Sequence, residues 1–146
     1  MTGSSQADTS DLDRALASAL RAPSLGVLSA YVFGSHAEGR AHAESDIDVG
    51  VLLDRRLAPT ERQRFESRVR IGSVLVGRLR QNAVDVVVLN DAPPQFARRI
   101  VTAGRRVCCR DEAADHAFVR DVQLRAADLE PFLRRTRRVK LAAMTR

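Results

Sequence analysis

Apolar positions along this chain switch period several times, and each switch marks an element. From Asp8 to Arg21, Leu12, Ala15, Leu16, Ala19 and Leu20 recur at spacings of three and four, which predicts a helix closed by Pro23 and Gly26. Residues 1–7 ahead of it are small and polar and are expected to form a disordered leader. Val27 to Phe33 reads as a buried strand that stops at Gly34-Ser35. Ser35 to Ser45 is small, polar and charged, with Gly39 marking a turn, and Asp46 to Leu53 is a second strand. Thr60 and Gln63 stand at capping-box spacing and open a helix whose apolar stripe is Phe65, Val69, Gly72, Val76 and Leu79. A third strand, Ala83 to Leu89, ends at Asn90-Asp91 and Pro93-Pro94. Gln95 to Thr102 is a short helix stopped by Gly104, and Arg105 to Arg110 is an edge strand. From Asp111 onward Ala114, Phe118, Val122, Ala126, Leu129 and Leu133 keep a helical period, which Pro131 is expected to break into two helices.

This order of elements predicts an α/β (α+β) fold, a small mixed β-sheet flanked by helices, with the helices on one face and C-terminal helices at the end. No internal repeat and no linker interrupts it, so residues 8–146 are expected to be one domain with a basic C-terminal helical segment, 111–146. A chain of 146 residues, 45% hydrophobic and 29% charged, can build one core without metal or disulfide staples. No apolar run reaches the roughly 18 residues of a membrane span. The first residues carry neither the basic start nor the apolar stretch of a signal peptide, so a cytoplasmic location is expected. The adjacent Cys108 and Cys109 would point to opposite faces of a strand and suit neither a disulfide nor a shared metal; they read as small hydrophobes.

Charge is unevenly spread. Residues 98–146 hold 13 Lys/Arg against 6 Asp/Glu, whereas residues 1–97 hold 11 against 12. Arg134, Arg135, Arg137, Arg138 and Lys140 form a dense cationic end able to dock a protein partner or RNA. Aromatic residues are only 4% of the chain and none is interleaved with those cations, so direct nucleic-acid binding is not expected.

The chemistry concentrates between the first and third strands. Asp46 and Asp48 lie two apart, so both side chains leave one face of a strand, while Ile47, Val49 and Val51 face the core. Asp85 interrupts the apolar run Val84–Val88 and must be paired, hydrogen-bonded or bound to a cation. If the three carboxylates share a site, two charges about 5 Å apart at an effective dielectric of about 20 repel by about 3 kcal/mol. Hard oxygen donors of this kind suit Mg²⁺ or Mn²⁺, and a pair of such ions is the clamp used in nucleotidyl transfer. Gly34 lets the backbone approach a phosphate, Ser35 adds a hydroxyl and an N–H, and Arg40 is close enough in sequence to steer one.

Phe33-Gly34-Ser35-His36-Ala37-Glu38-Gly39-Arg40 followed by Ser45-Asp46-Ile47-Asp48-Val49-Gly50-Val51 resembles the signature of the DNA polymerase β superfamily of nucleotidyltransferases. The chain is more narrowly similar to the minimal nucleotidyltransferase (MNT) antitoxins of HEPN/MNT toxin–antitoxin pairs, from about Ser29 to Phe132. The resemblance implies a nucleotidyltransferase-like fold. It also implies Mg²⁺-dependent transfer of AMP from ATP to a hydroxyl, usually a tyrosine's, of a cognate HEPN ribonuclease toxin, which silences it. Carried over by position, Gly34, Ser35, Arg40 and Ser45 bind the nucleotide. Asp46, Asp48 and Asp85 hold two metal ions, with Asp85 the general base.

Two other functions fit the same residues. A non-catalytic antitoxin would occlude its toxin through the basic C-terminal helix; clustered like charges argue against it. A small-molecule nucleotidyltransferase shares the signature, but little chain remains beyond the nucleotide core to wall a second pocket. His36 reads as an exposed loop residue, His42 and His116 have no partner at ligand spacing, and Tyr31 reads as core or as packing beside an adenine.

Overall fold

The computed structural model describes residues 3–39, 45–80 and 83–144. Strands β1 (Val27–Phe33), β2 (Ile47–Leu53), β3 (Val84–Val88) and β4 (Arg105–Cys109) form one mixed sheet in the order β3-β2-β1-β4. β1 is antiparallel to both neighbours, while β2 and β3 are parallel. A parallel pair needs a crossover, and helix α2 (Glu61–Leu79) supplies it. Helix α1 (Gly3–Leu20) precedes β1, α3 (Pro94–Ala103) joins β3 to β4, and α4 (Glu112–Met144) follows β4. Among the described residues no helix is long and apolar enough to cross a membrane.

Helices cover both faces of the sheet, not one as expected. Ile47, Val49, Val51 and Leu53 of β2 pack with Leu16 and Leu20 of α1 and Ile71 and Leu75 of α2. The alternate residues make a second apolar cluster, Tyr31, Leu52, Leu89 and Ile100, with Phe118 of α4 against it. Both faces of the central strands are apolar, and each must be buried against something. Fully burying each Leu, Ile or Val contributes about 1.5–3 kcal/mol, so neither layer is dispensable.

Three further expectations are corrected. Helix α1 begins at Gly3, so most of the stretch expected to be a disordered leader is helical. Extending a formed helix gains one hydrogen bond per residue fixed, which short polar residues can sustain. Pro131 does not divide α4, which is continuous from Glu112 to Met144. Good helix formers surround the proline, and the Glu130–Arg134 ion pair (2.8 Å) spans it.

Helix α2 buries a different side from the one expected. Its capping box is present as read, with Gln63 N donating to Thr60 Oγ1 and Thr60 N to Gln63 Oε1, both at 3.1 Å. The buried residues, however, are Arg64, Ile71 and Leu75. Phe65, Val69 and Val76 of the expected stripe are 58%, 56% and 42% exposed. A buried arginine is tolerable because every arm is satisfied. Arg64 donates to the Asp91 carboxylate at 2.9 Å and to the carbonyls of Ala58 and Pro59 at 3.1 Å. Beside it Asn90 caps β2, accepting from Leu53 N (2.8 Å) and donating to Leu53 O (3.0 Å).

Candidate active site

β1 delivers the chain to a sharp corner. Phe33 is its last residue, and Gly34–His36 form a 3-10 turn in which Ala37 N and Glu38 N both donate to Gly34 O at 3.1 Å. Gly34 has φ +72°, a conformation open to glycine at little cost. A Cβ at this position would also run into the Asp48 carboxylate. Strand register explains the meeting: Phe33 pairs with Asp48 across β1–β2, and Asp48 pairs with Asp85 across β2–β3. The glycine corner and two carboxylates therefore lie side by side across three adjacent strands. Asp46 sits just before β2, separated from Asp48 by the fully buried Ile47.

Asp48 is half-buried, whereas Asp46 and Asp85 are exposed. Burial raises the Asp48 carboxyl above its ordinary 3.8, the negative charges of Asp85 and then Asp46 raise it further, and His36 partly offsets them. The site is thus short of positive charge. Arg68 of α2 supplies some, 3.7 Å from Asp85, but the two side chains are 46% and 61% exposed and the pair is weak. Hard carboxylate oxygens with this unmet demand fit a divalent cation in donor chemistry. Among the described residues no three His, Cys, Asp or Glu side chains are already gathered around one point.

The supporting residues were not visible in the sequence. Arg105, the first residue of β4, grips Asp13 of α1 with two hydrogen bonds of 2.8 and 2.9 Å and extends its third arm to His36 O at 3.5 Å. His36 is half-buried rather than an exposed loop residue, and its Nε2 lies 3.4 Å from Ser45 O. It thereby links the two ends of the loop that carries the signature. Phe33 packs edge-on against Phe96 of α3, ring centres 5.8 Å apart, beside the position opposite Asp48. No local pattern could reveal the Arg105 and Phe33–Phe96 contacts, because their members are far apart in the chain.

Ser35 and Ser45 are both half-buried at this loop. Arg40 and His42, singled out from the sequence, lie outside the described residues. Tyr31 is core, and its hydroxyl donates to Asp115 at 2.7 Å. His116 is exposed and pairs with Glu112 at 3.5 Å, away from the corner. Cys108 and Cys109 are free and partly buried, and burial raises both thiols above their usual range.

Comparison with solved structures finds the same fold. One match is a toxin–antitoxin crystal structure with AMP-PNP, at 22% identity and TM-score 0.65, covering 92% of this chain and 98% of that one. Another is the MNT antitoxin in complex with the tri-AMPylated HEPN toxin of Shewanella oneidensis, at 18% identity and TM-score 0.55, covering 97% and 99%. A third, the toxin–antitoxin MntA–HepT, matches at 19% identity and TM-score 0.55, covering 97% and 99%. No curated protein sequence matches significantly. The family model "Polymerase beta, Nucleotidyltransferase" matches residues 15–113, a span that contains the corner, all three carboxylates and the whole sheet. The chain belongs to the polymerase beta nucleotidyltransferase family.

Proposed function

We propose that this protein is a single minimal nucleotidyltransferase domain acting as an antitoxin. It transfers AMP from ATP to a hydroxyl, a tyrosine's by preference, of a cognate HEPN toxin and so neutralises it. The observation that carries this reading is the register of Asp48 opposite Asp85, with Gly34 pressed against Asp48. The similarity to antitoxin chains in complexes holding AMP-PNP or an AMPylated toxin supports the choice of nucleotide and of partner. Gly34 and Ser35 receive the triphosphate with backbone N–H groups, and Ser45 and Arg40 complete the nucleotide-binding set. Asp46, Asp48 and Asp85 would hold Mg²⁺ or Mn²⁺, which when bound neutralises the triphosphate and its departing pyrophosphate. The toxin hydroxyl oxygen attacks the α-phosphorus, the bond to the bridging oxygen breaks, pyrophosphate leaves, and the hydroxyl proton passes to Asp85.

The test is a mass spectrum of the cognate HEPN protein after incubation with this chain, ATP and Mg²⁺. A gain of one or more AMP units that disappears with Asp46→Asn is the expected result; unchanged mass in a mixture that still forms a complex overturns catalysis. That second outcome is the binding-only antitoxin, which one observation favours: Arg68, a cation of the chain itself, already stands beside Asp85.

A further inference from the structure

Helix α4 outruns the body of the protein. It is 33 residues long, about 50 Å, yet its buried residues are Asp115, Val122 and Ala126, all in its first half. From Ala127 to Met144 no residue is buried. Within that stretch Leu129, Phe132, Thr136, Val139 and Ala143 alternate at spacings of three and four, the a/d pattern of a helix–helix seam. Leu129 is 39% exposed, Phe132 63% and Val139 65%. The side turned to α3 is a different one, where Glu130, Leu133 and Arg137 line a groove with Arg98 and Thr102. Pro131, lacking an N–H, leaves the Ala127 carbonyl without its helical donor, so this half is poorly suited to stand alone in water.

The charge around the seam says what would cover it. Residues 127–144 hold two acids, Asp128 and Glu130, against five cations, and Glu130 is already paired with Arg134. Arg135 and Lys140 occupy the positions flanking the seam. We propose that the seam docks an amphipathic helix of a protein partner whose own apolar stripe is rimmed by aspartate and glutamate. A second copy of this chain would set cation rim against cation rim. Nucleic acid would satisfy the cations but leave Phe132 and Val139 uncovered. Identifying the partner as the HEPN protein rests on the proposed function.

The test titrates the cognate HEPN protein with the unaltered chain and with two double variants, Phe132→Ala/Val139→Ala and Arg135→Glu/Lys140→Glu, by calorimetry at low and high salt. Both variants keep helix-forming residues on an exposed surface, and circular dichroism checks that the helix content is retained. The expected result is binding weakened about tenfold or more by either variant, with a salt dependence that is lost in the charge-reversed one. Binding unchanged in both variants, while AMP transfer persists, overturns the docking surface alone. No binding and no mass gain with the unaltered chain overturns both readings. Self-association abolished by Phe132→Ala/Val139→Ala, or binding of a short single-stranded RNA abolished by Arg135→Glu/Lys140→Glu with HEPN binding intact, assigns the seam to another occupant and overturns the proposal.

Discussion

Gly34 and Asp48 are packed so closely that the glycine has no room for a side chain: a Cβ on Gly34 would occupy the space of the Asp48 carboxylate. The Gly34 corner and the Asp48 carboxylate are therefore one unit, set by the pairing of Phe33 with Asp48.

Gly34→Ala is expected to destabilise the fold by about 1–2 kcal/mol through the φ of +72° alone. Because the methyl also displaces Asp48, activity should fall by far more than that strain accounts for. Urea unfolding and ATP-dependent transfer, measured on one preparation, check the pair of effects. Wild-type transfer by this variant would separate Gly34 from the site.

Asp48→Asn should abolish transfer and yet stabilise the protein. The folded chain holds the Asp48 proton more tightly than the unfolded chain does, so the ionised group costs stability above its ordinary 3.8 and not below it. The variant should gain on the order of 1 kcal/mol at neutral pH, and the gain should vanish as pH falls below 3.8. Denaturant midpoints across that range report it; a variant less stable than its parent at neutral pH contradicts the electrostatic description.

Helix α2 shows where sequence reading stops. It has two apolar stripes, and periodicity cannot say which one meets the sheet. The exposed Phe65-Val69-Val76 stripe is the more conspicuous, while the buried one includes Arg64, whose guanidinium is acceptable inside only because Asp91 and two carbonyls await it. The strands, by contrast, were readable almost residue for residue, since Gly34, Asn90 and Gly104 punctuate short apolar runs. That Asp48 and Asp85 stand out was readable too, because each breaks an apolar strand run, and the register sets them side by side. Arg68, Arg105 and the His36–Ser45 link were not, since each depends on which elements become neighbours.

Arg64→Ala is expected to cost about 3 kcal/mol, because it leaves Asp91 and the carbonyls of Ala58 and Pro59 without their donor. The loss should appear as a lower denaturant midpoint. A change below about 0.5 kcal/mol would mean that the pair contributes nothing to holding α2 against the β3–α3 turn.

Tyr31 is the one tyrosine of a chain without tryptophan, so its ionisation can be followed by ultraviolet absorbance. Burial first, then the hydrogen bond to Asp115, raises its hydroxyl far above the ordinary 10.0. The neutral form is favoured by folding; this stabilisation is complete below pH 10.0 and is lost as pH rises through the higher folded value. Tyrosinate should therefore appear together with unfolding. Tyr31→Phe should cost about 2 kcal/mol, leaving buried Asp115 with Arg106 at 3.1 Å. A titration at 10.0 with the fold intact would contradict the assignment.

The central claim is that the Gly34–Asp48–Asp85 arrangement transfers a nucleotidyl group rather than merely occluding a partner. Incubating the cognate HEPN protein with this chain, Mg²⁺ and ATP labelled at either the α- or the γ-phosphate tests it most directly. The expected result is label on the HEPN protein from α-labelled ATP, none from γ-labelled ATP, and none from either with Asp48→Asn. Label from the γ-position, or label from the α-position that survives Asp48→Asn, would contradict it.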